Sequence, residues 1–218
     1  MDDAVNGGGR PGPAKVSRKD RAAATRRRIL AAAETEFVAK SYHATVMGDI
    51  AERAGVSVQM LYFSFGTKAK LMAAVVEAAV LGDEPPVDPM KSDWYAHVQE
   101  ASTASETIRR FLVGSGPVFQ RASPVSLVGE AGAATDPELA RISRAGDELR
   151  ATGFTSAVEL AAAKGPLRRG LDVRSAADIL IAVYSPALYM EFLDDRGWSH
   201  DQIMDWLVDT VPGLICAD

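Results

Sequence analysis

A chain of 218 residues can hold one large or two small domains, and at 47% hydrophobic and 24% charged it is neither wholly disordered nor fibrous. The formal net charge of −5 would exclude a phosphate-rich partner only if the charge were evenly spread. It is not: residues 15–75 hold eleven Lys and Arg against five Asp and Glu, a net +6, while residues 76–218 carry −10. A basic N-terminal third on an acidic remainder implies two tasks, one of them open to a polyanion. The single cysteine, Cys216, allows no intrachain disulfide and fits a reducing compartment. No apolar signal core opens the chain, and the apolar stretch 179–193 is interrupted by Ser185, Pro186 and Glu191. The expectation is a cytoplasmic protein with no membrane partner.

Residues 1–21, rich in Gly, Pro and charge, read as a disordered basic arm. From Ala22 the pattern turns helical, with Ile29, Ala33 and Phe37 at four-residue steps, and this helix should end near Lys40. Thr45 is placed to cap a second helix, whose stripe of Met47, Ile50, Ala51 and Ala54 stops at Gly55. Ser57 caps a third over 58–63, and the intervening Gly55-Val56-Ser57 has the length of a helix-turn-helix turn. Thr67 caps a fourth, carrying Leu71, Val75 and Ala78. After a loop with Pro85, Pro86 and Pro89, helices are predicted over 103–114, 117–134, 137–164, 174–195 and 201–214. Asp136 and Ser199 serve as caps, and no two-residue alternation signals a sheet. The fold class is all-α: a helix-turn-helix domain over 22–82 and a second helical domain over 83–218.

At 100° per residue the third helix sets Val58, Gln59, Tyr62 and Phe63 on one half, while Leu61, with Val56 and Phe65, can pack on the first two helices. Adjacent outward aromatics on a basic domain have two explanations. They pack on the fourth helix, or they enter a DNA major groove, where Gln59 can pair with an adenine edge, Tyr62 reach phosphate and Phe63 lie on a thymine methyl or sugar.

The ordered residues Ile50-Ala51, Ala54-Gly55-Val56-Ser57, Leu61-Tyr62, Phe65 and Lys68-x-x-Leu71, with Ile29-Leu30-x-Ala32-Ala33 and Phe37 upstream, resemble the DNA-binding domain of the TetR family of transcriptional regulators. The resemblance covers residues 22–82. It implies phosphate contacts from Thr45 and Lys68, and a reading helix capped by Ser57 that presents Gln59, Tyr62 and Phe63. For Thr45 and Ser57 a purely structural cap stands beside that role. Ser64, Gln59 and Ala69 depart from the family's usual residues. The basic arm either reaches a minor groove or remains a solvated tail.

In the acidic remainder, the apolar 179–193 segment must be covered on more than one side, and the last helix presents Ile203, Leu207, Val211 and Leu214 in a stripe with Trp206 nearby. Two such helices from each of two subunits would form a four-helix bundle, so Ile179, Val183, Ile203, Leu207 and Val211 are the candidate homodimer contacts. The resemblance further implies an effector pocket. Its candidates are Met72 and Val76 at the domain junction and Trp94, Phe111, Phe119, Phe154 and Tyr184 beyond it, which favour an apolar or aromatic effector. Glu130 is either an anchor for a cationic group or a solvated residue. His43, His97 and His200 stand apart without ligand-spaced partners, and Gly7-Gly8-Gly9 lacks the strand and Lys of a phosphate loop. No catalytic residue, metal or cofactor is expected. The resulting expectation is a repressor that binds a near-palindromic operator as a homodimer and is released by a small effector. The alternatives are an activator or ligand-independent regulator of the same fold, and a helical adaptor.

Overall fold

The structure, a computed structural model, describes residues 17–82 and 88–217. The first helix, α1 (Arg18–Ala44), starts earlier than its apolar pattern because Ser17 and Asp20 close a reciprocal capping box. Arg18, Lys19 and Arg21, assigned to the arm by sequence, therefore sit in its first turns. Arg10 and Lys15 lie outside the described residues. The regular helix is interrupted at Ser41 (φ 72°, ψ 166°), next to the predicted end at Lys40.

Three short helices complete the head: α2 (Met47–Ala54), α3 (Val58–Phe65) and α4 (Lys68–Leu81). Gly55 adopts φ 65° and ψ 41°, the left-handed conformation that its missing Cβ permits, and so turns α2 into α3. Ser57 and Thr67 accept from the amides of Met60 and Lys70, as their positions predict. Thr45 is a correction: Val46 occupies the cap of α2 and makes no side-chain bond there.

The body begins with a 3₁₀ turn at Pro89–Lys91 and a short α5 (Asp93–Gln99), which periodicity does not reveal. The next helix, α6 (Ala104–Ala133), runs unbroken through Pro117 and Pro124, where a gap was expected. Each proline removes a hydrogen bond to the carbonyl four residues back. Those carbonyls belong to Val113 and Gln120, both exposed, so water can satisfy them. Burial of the opposite face, from Ala104 and Ile108 to Val125 and Gly132, outweighs a cost of about 3 kcal/mol per proline. α7 (Pro137–Ala162) is capped by Asp136, as expected.

The predicted helix over 174–195 is instead three pieces: α8 (Val173–Val183), α9 (Pro186–Met190) and a π turn at Glu191–Asp195. Pro186 drives Ser185 out of the helical region (ψ 147°) and restarts the chain. The 173–195 segment is long and apolar enough to cross a bilayer by composition, but it is broken here, and α8 and α9 pack on α7, α10 and α6. The last helix, α10 (His200–Ile215), follows the Ser199 cap. Among the described residues there is no strand, only an isolated bridge between Leu167 and Cys216.

Two cores result. One fills the body with Ile108, Leu112, Leu180, Ile203, Leu207 and Val211. The other joins Ile29, Phe37, Ile50, Leu61 and Leu71 of the head to Ala122, Val125 and Leu139 of α6 and α7. The head is thus seated on the body by a shared core, although the chain passes between them at residue 82.

Candidate nucleic-acid interface

The third helix is held by Leu61 (0% exposed) and Phe65 (7%), which point into the head core. Burying Leu61 alone is worth about 1.5–3 kcal/mol. This anchoring turns Tyr62 (50% exposed) and Phe63 (93%) outward beside Val58 and Gln59. Phe63 is too exposed to pack on α4, the first of the readings left open by sequence, while Tyr62 has half of its surface covered. Ser57, Gln59, Tyr62 and Phe63 form one exposed surface, with Met60 at its edge.

An ion-pair network around the buried Glu36 braces α1 against α2. Glu36 is buried, and its carboxylate meets Lys40 at 2.7 Å and Arg53 at 2.6 Å, while Lys40 also reaches Asp49 at 2.8 Å. Hydrogen bonds from Lys40 and Arg53 hold the Glu36 carboxyl below its ordinary range, and Asp49 and Glu36 raise the Lys40 ammonium. Two of the head's basic groups are therefore committed internally. Arg26 lies over the Phe65 ring at 4.8 Å, which sets a guanidinium beside the C-terminal end of α3.

Two expected phosphate contacts are placed otherwise. Thr45 is 2% exposed, and its hydroxyl donates to the Ser41 carbonyl at 2.7 Å, with the Glu36 carbonyl 3.0 Å away. It closes the end of α1 and does not face solvent. Lys68 folds its ammonium back onto the carbonyls of Tyr42 (2.9 Å) and Thr45 (3.2 Å) and over the Tyr42 ring at 4.5 Å. Lys70, exposed two residues later, is the lysine at the start of α4 that points outward.

The effector candidates divide. Met72 and Val76 belong to the core between head and body, where the Met72 side chain lies against Gly129 of α6. The other five form a continuous ring cluster: Trp94 to Phe111 at 6.1 Å, Phe111 to Phe154 at 5.3 Å, Phe154 to Tyr184 at 5.7 Å and Tyr184 to Phe119 at 3.9 Å. Inside it the hydroxyls of Ser115 and Tyr184 pair at 3.1 Å, and complete burial raises the Tyr184 phenol above its ordinary range. Trp94, only partly buried, lies so close on Gly114 that a Cβ there would fall 2.5 Å from its ring. Glu130 is exposed, with its carboxyl raised by desolvation.

Of the dimer candidates, Ile203 (0% exposed), Leu207 (1%) and Val211 (0%) are consumed by the body's own core and cannot meet a second chain. Ile179 and Val183 remain half-buried, as do Trp206 and Leu214 on α10. Among the described residues no three His, Cys, Asp or Glu side chains converge on a metal site.

Sequence reasoning missed a polar joint between head and body. Tyr42 donates to Asp136 at 2.6 Å, His43 meets Thr135 at 2.6 Å, and Arg121 of α6 donates to the carbonyls of Ala79 and Val80 at the end of α4. Partners more than 40 residues apart leave no periodic signal; only the capping role of Asp136 was readable.

Comparison with known proteins agrees with this architecture. Residues 29–75 match the model for bacterial regulatory proteins of the tetR family. A stretch of 55 residues is 46% identical to the HTH-type transcriptional activator FasR of Mycolicibacterium smegmatis, and spans a quarter of this chain and a quarter of that relative. Over nearly its whole length the chain is similar to two solved regulators. One is a putative transcriptional regulator from Saccharomonospora viridis in complex with choline (TM-score 0.67, 19% identity, 89% of this chain and 99% of that one). The other is NalD, the secondary repressor of the MexAB-OprM multidrug efflux pump in Pseudomonas aeruginosa (TM-score 0.65, 20% identity, 91% and 99%). Residues 29–75 thus carry the sequence pattern of the tetR family's regulatory proteins, and the chain as a whole has the fold of these solved regulators.

Proposed function

We propose that this chain is a DNA-binding repressor that reads a near-palindromic operator as a homodimer and is released by a small apolar or aromatic effector. The observation that carries the reading is Phe63, 93% exposed on a helix locked from behind by Leu61. A side chain of that size loses favourable burial in water and gains it against a thymine methyl or sugar in the major groove. Gln59 supplies the pattern of donor and acceptor that an adenine edge requires, Tyr62 reaches phosphate, and Ser57 presents its hydroxyl at the helix start. Lys70 takes the phosphate role that Lys68 cannot fill.

The half-buried seam of Ile179 and Val183 on α8 with Trp206 and Leu214 on α10 is the surface we assign to a second copy. Five contiguous rings with one hydroxyl pair fit an apolar or aromatic effector, entering where Trp94 overlies Gly114. The choline and efflux-repressor neighbours are consistent with small-molecule control. A second reading, an activator, is favoured by the likeness to FasR. The same head serves either, because the sign of control depends on where the operator lies.

The test is selection of a duplex from a random pool, followed by salt titration. Affinity should fall steeply as salt rises. Phe63→Ala should weaken the selected duplex and leave the slope unchanged, and Lys70→Ala should reduce the slope by about one. Salt-independent binding, or no selected duplex, would overturn the reading.

A further inference from the structure

The head's four helices share a core with α6 and α7, and one buried side chain at its edge has its polar atom spent entirely on the body. Tyr42 is 2% exposed, its ring stacks beside Phe37 at 5.9 Å, and its hydroxyl donates to Asp136 at 2.6 Å. The other carboxylate oxygen of Asp136 accepts from the amides of Glu138 and Leu139, so the bond ties the end of α1 directly to the start of α7. The face of the ring rests on Gly132 of α6, where a Cβ would stand 2.6 Å from the Tyr42 Cγ. Lys68 closes the other side, with its ammonium over the ring and on the Tyr42 carbonyl. Burial and Asp136 raise the Tyr42 phenol, and the bond from Tyr42 lowers the Asp136 carboxyl, as a neutral donor on a charged acceptor requires.

The backbone here is strained as well as crowded. Ser41, at φ 72° and ψ 166°, is the one non-glycine residue with positive φ among the described residues. Such a conformation costs about 1–3 kcal/mol and persists only where its surroundings enforce it. It aims Tyr42 at the corner between α6 and α7. Two further polar links join head and body: His43 meets Thr135 at 2.6 Å beside the Tyr42 bond, and the Arg121 guanidinium donates to Ala79 and Val80 at the end of α4. Arg121 lies twelve residues before the end of α6 at Ala133, about 18 Å along the helix at 1.5 Å per residue. Between Arg121 and this corner the contact is apolar, made by Met72, Val76, Val125 and Leu139.

We propose that Tyr42 is a positioning residue: held by Gly132 and Asp136, it fixes the angle of the reading head on the body, and without its hydroxyl bond the head rocks about the Arg121 link, with the His43–Thr135 contact left to restrain this corner. A rearrangement at the α6–α7 corner then reaches α3 through the end of α1. The consequence for DNA rests on the function proposed above, but the joint can be tested without DNA. The Tyr42 hydroxyl donates to Asp136 of the body, so its removal leaves the ring's packing in the head in place while it cuts the direct bond from the end of α1 to the start of α7.

The experiment is pulsed electron resonance on the full chain carrying Cys216→Ala, with nitroxides at Glu52→Cys on α2 and Val113→Cys on α6. Labelled chain is diluted in excess unlabelled chain, so that only distances within one chain are read. The otherwise unaltered chain should give one narrow distance, and Tyr42→Phe should lose it to a broad distribution. Asp136→Asn, whose amide oxygen keeps the cap on α7 while its NH2 donates to the Tyr42 oxygen in a reversed bond, should keep it narrow. Gly132→Ala should shift the mean distance by displacing the ring. Ile108→Val, which loosens the body core far from the joint, should leave it narrow. A Tyr42→Phe distribution that coincides with the parent's would overturn the proposal, as would equal broadening by Ile108→Val. A chain that gives these results yet binds no DNA would leave the joint standing and remove the DNA reading.

Discussion

Ser41 and Lys68 show how single residues at the end of α1 divide between strain and support. Ser41 is exposed, and its side chain makes no packing that a glycine would forfeit, whereas its backbone sits where only glycine is at ease. Ser41→Gly should stabilise the chain by about 1 kcal/mol, with the greater freedom of glycine in the unfolded chain offsetting part of the relieved strain. Urea unfolding reads this as a higher midpoint with an unchanged slope. Lys68→Ala should do the opposite, since it strips charge-assisted donors from the carbonyls of Tyr42 and Thr45. A loss of about 1–2 kcal/mol is expected, with little change in the salt dependence of DNA binding. A large change in that slope would return Lys68 to the phosphate. The caps at Ser57, Thr67, Asp136 and Ser199 were legible in sequence because a cap and its amide lie two or three residues apart. Thr45 and Lys68 were not, because their partners belong to a kink that nothing local announces.

Helices α1 and α2 are held at their crossing by charge as much as by apolar contact. Glu36 is buried at that crossing between Lys40 and Arg53, and its carboxyl titrates below its ordinary range. A depressed folded-state value contributes stability that is complete above the unfolded value and is lost as pH falls through the folded one. Thermal midpoints should therefore drop on acidification below the ordinary carboxylate range, about pH 4. Glu36→Gln should melt lower at neutral pH and lose less on acidification; parallel curves for the two chains would place the acid sensitivity elsewhere, with Asp136 and Asp172 the next candidates. The helices of the head were readable to within a few residues because each has local start and stop signals. α6 and the 173–195 segment were not, because proline acts differently in them. In α6 the carbonyls left free by Pro117 and Pro124 face water and the helix continues; at Pro186 the preceding Ser185 leaves the helical region and the chain breaks.

At the scale of the whole molecule, charge and apolar surface are partitioned so that each part does one thing. Residues 15–75 carry a net +6 and residues 76–218 a net −10, a contrast that would steer a polyanion toward the head and away from the body. One eight-residue reading helix contacts too few bases for a specific site, and two heads on one duplex would join their contacts through a shared body. The seam that could provide this keeps Ile179 and Val183 of the contacts selected from sequence but not Ile203, Leu207 and Val211. Ile203, Leu207 and Val211 form the most regular stripe of α10 because they face inward, onto the body core. A stripe in sequence marks a buried face without saying whether the same chain or another covers it. The residues left over, Ile179 and Val183 one turn apart on α8 with Trp206 and Leu214 on α10, are half-buried and apolar, as the edge of an interface in a single chain should be. Val183→Asp puts a charge on this seam without opening the core, so the variant should fold, with helical signal and cooperative melting retained. In sedimentation it should run as a monomer where the parent runs as a dimer, and its affinity for the selected duplex should fall to that of one head, by tenfold or more for about 1.4 kcal/mol of lost coupling. Leu207→Asp should instead unfold the chain, because it buries an unpaired carboxylate at a site 1% exposed. If Val183→Asp stays dimeric while Leu207→Asp folds as a monomer, the assignment of inner and outer faces of α10 is reversed and the seam proposed here is wrong.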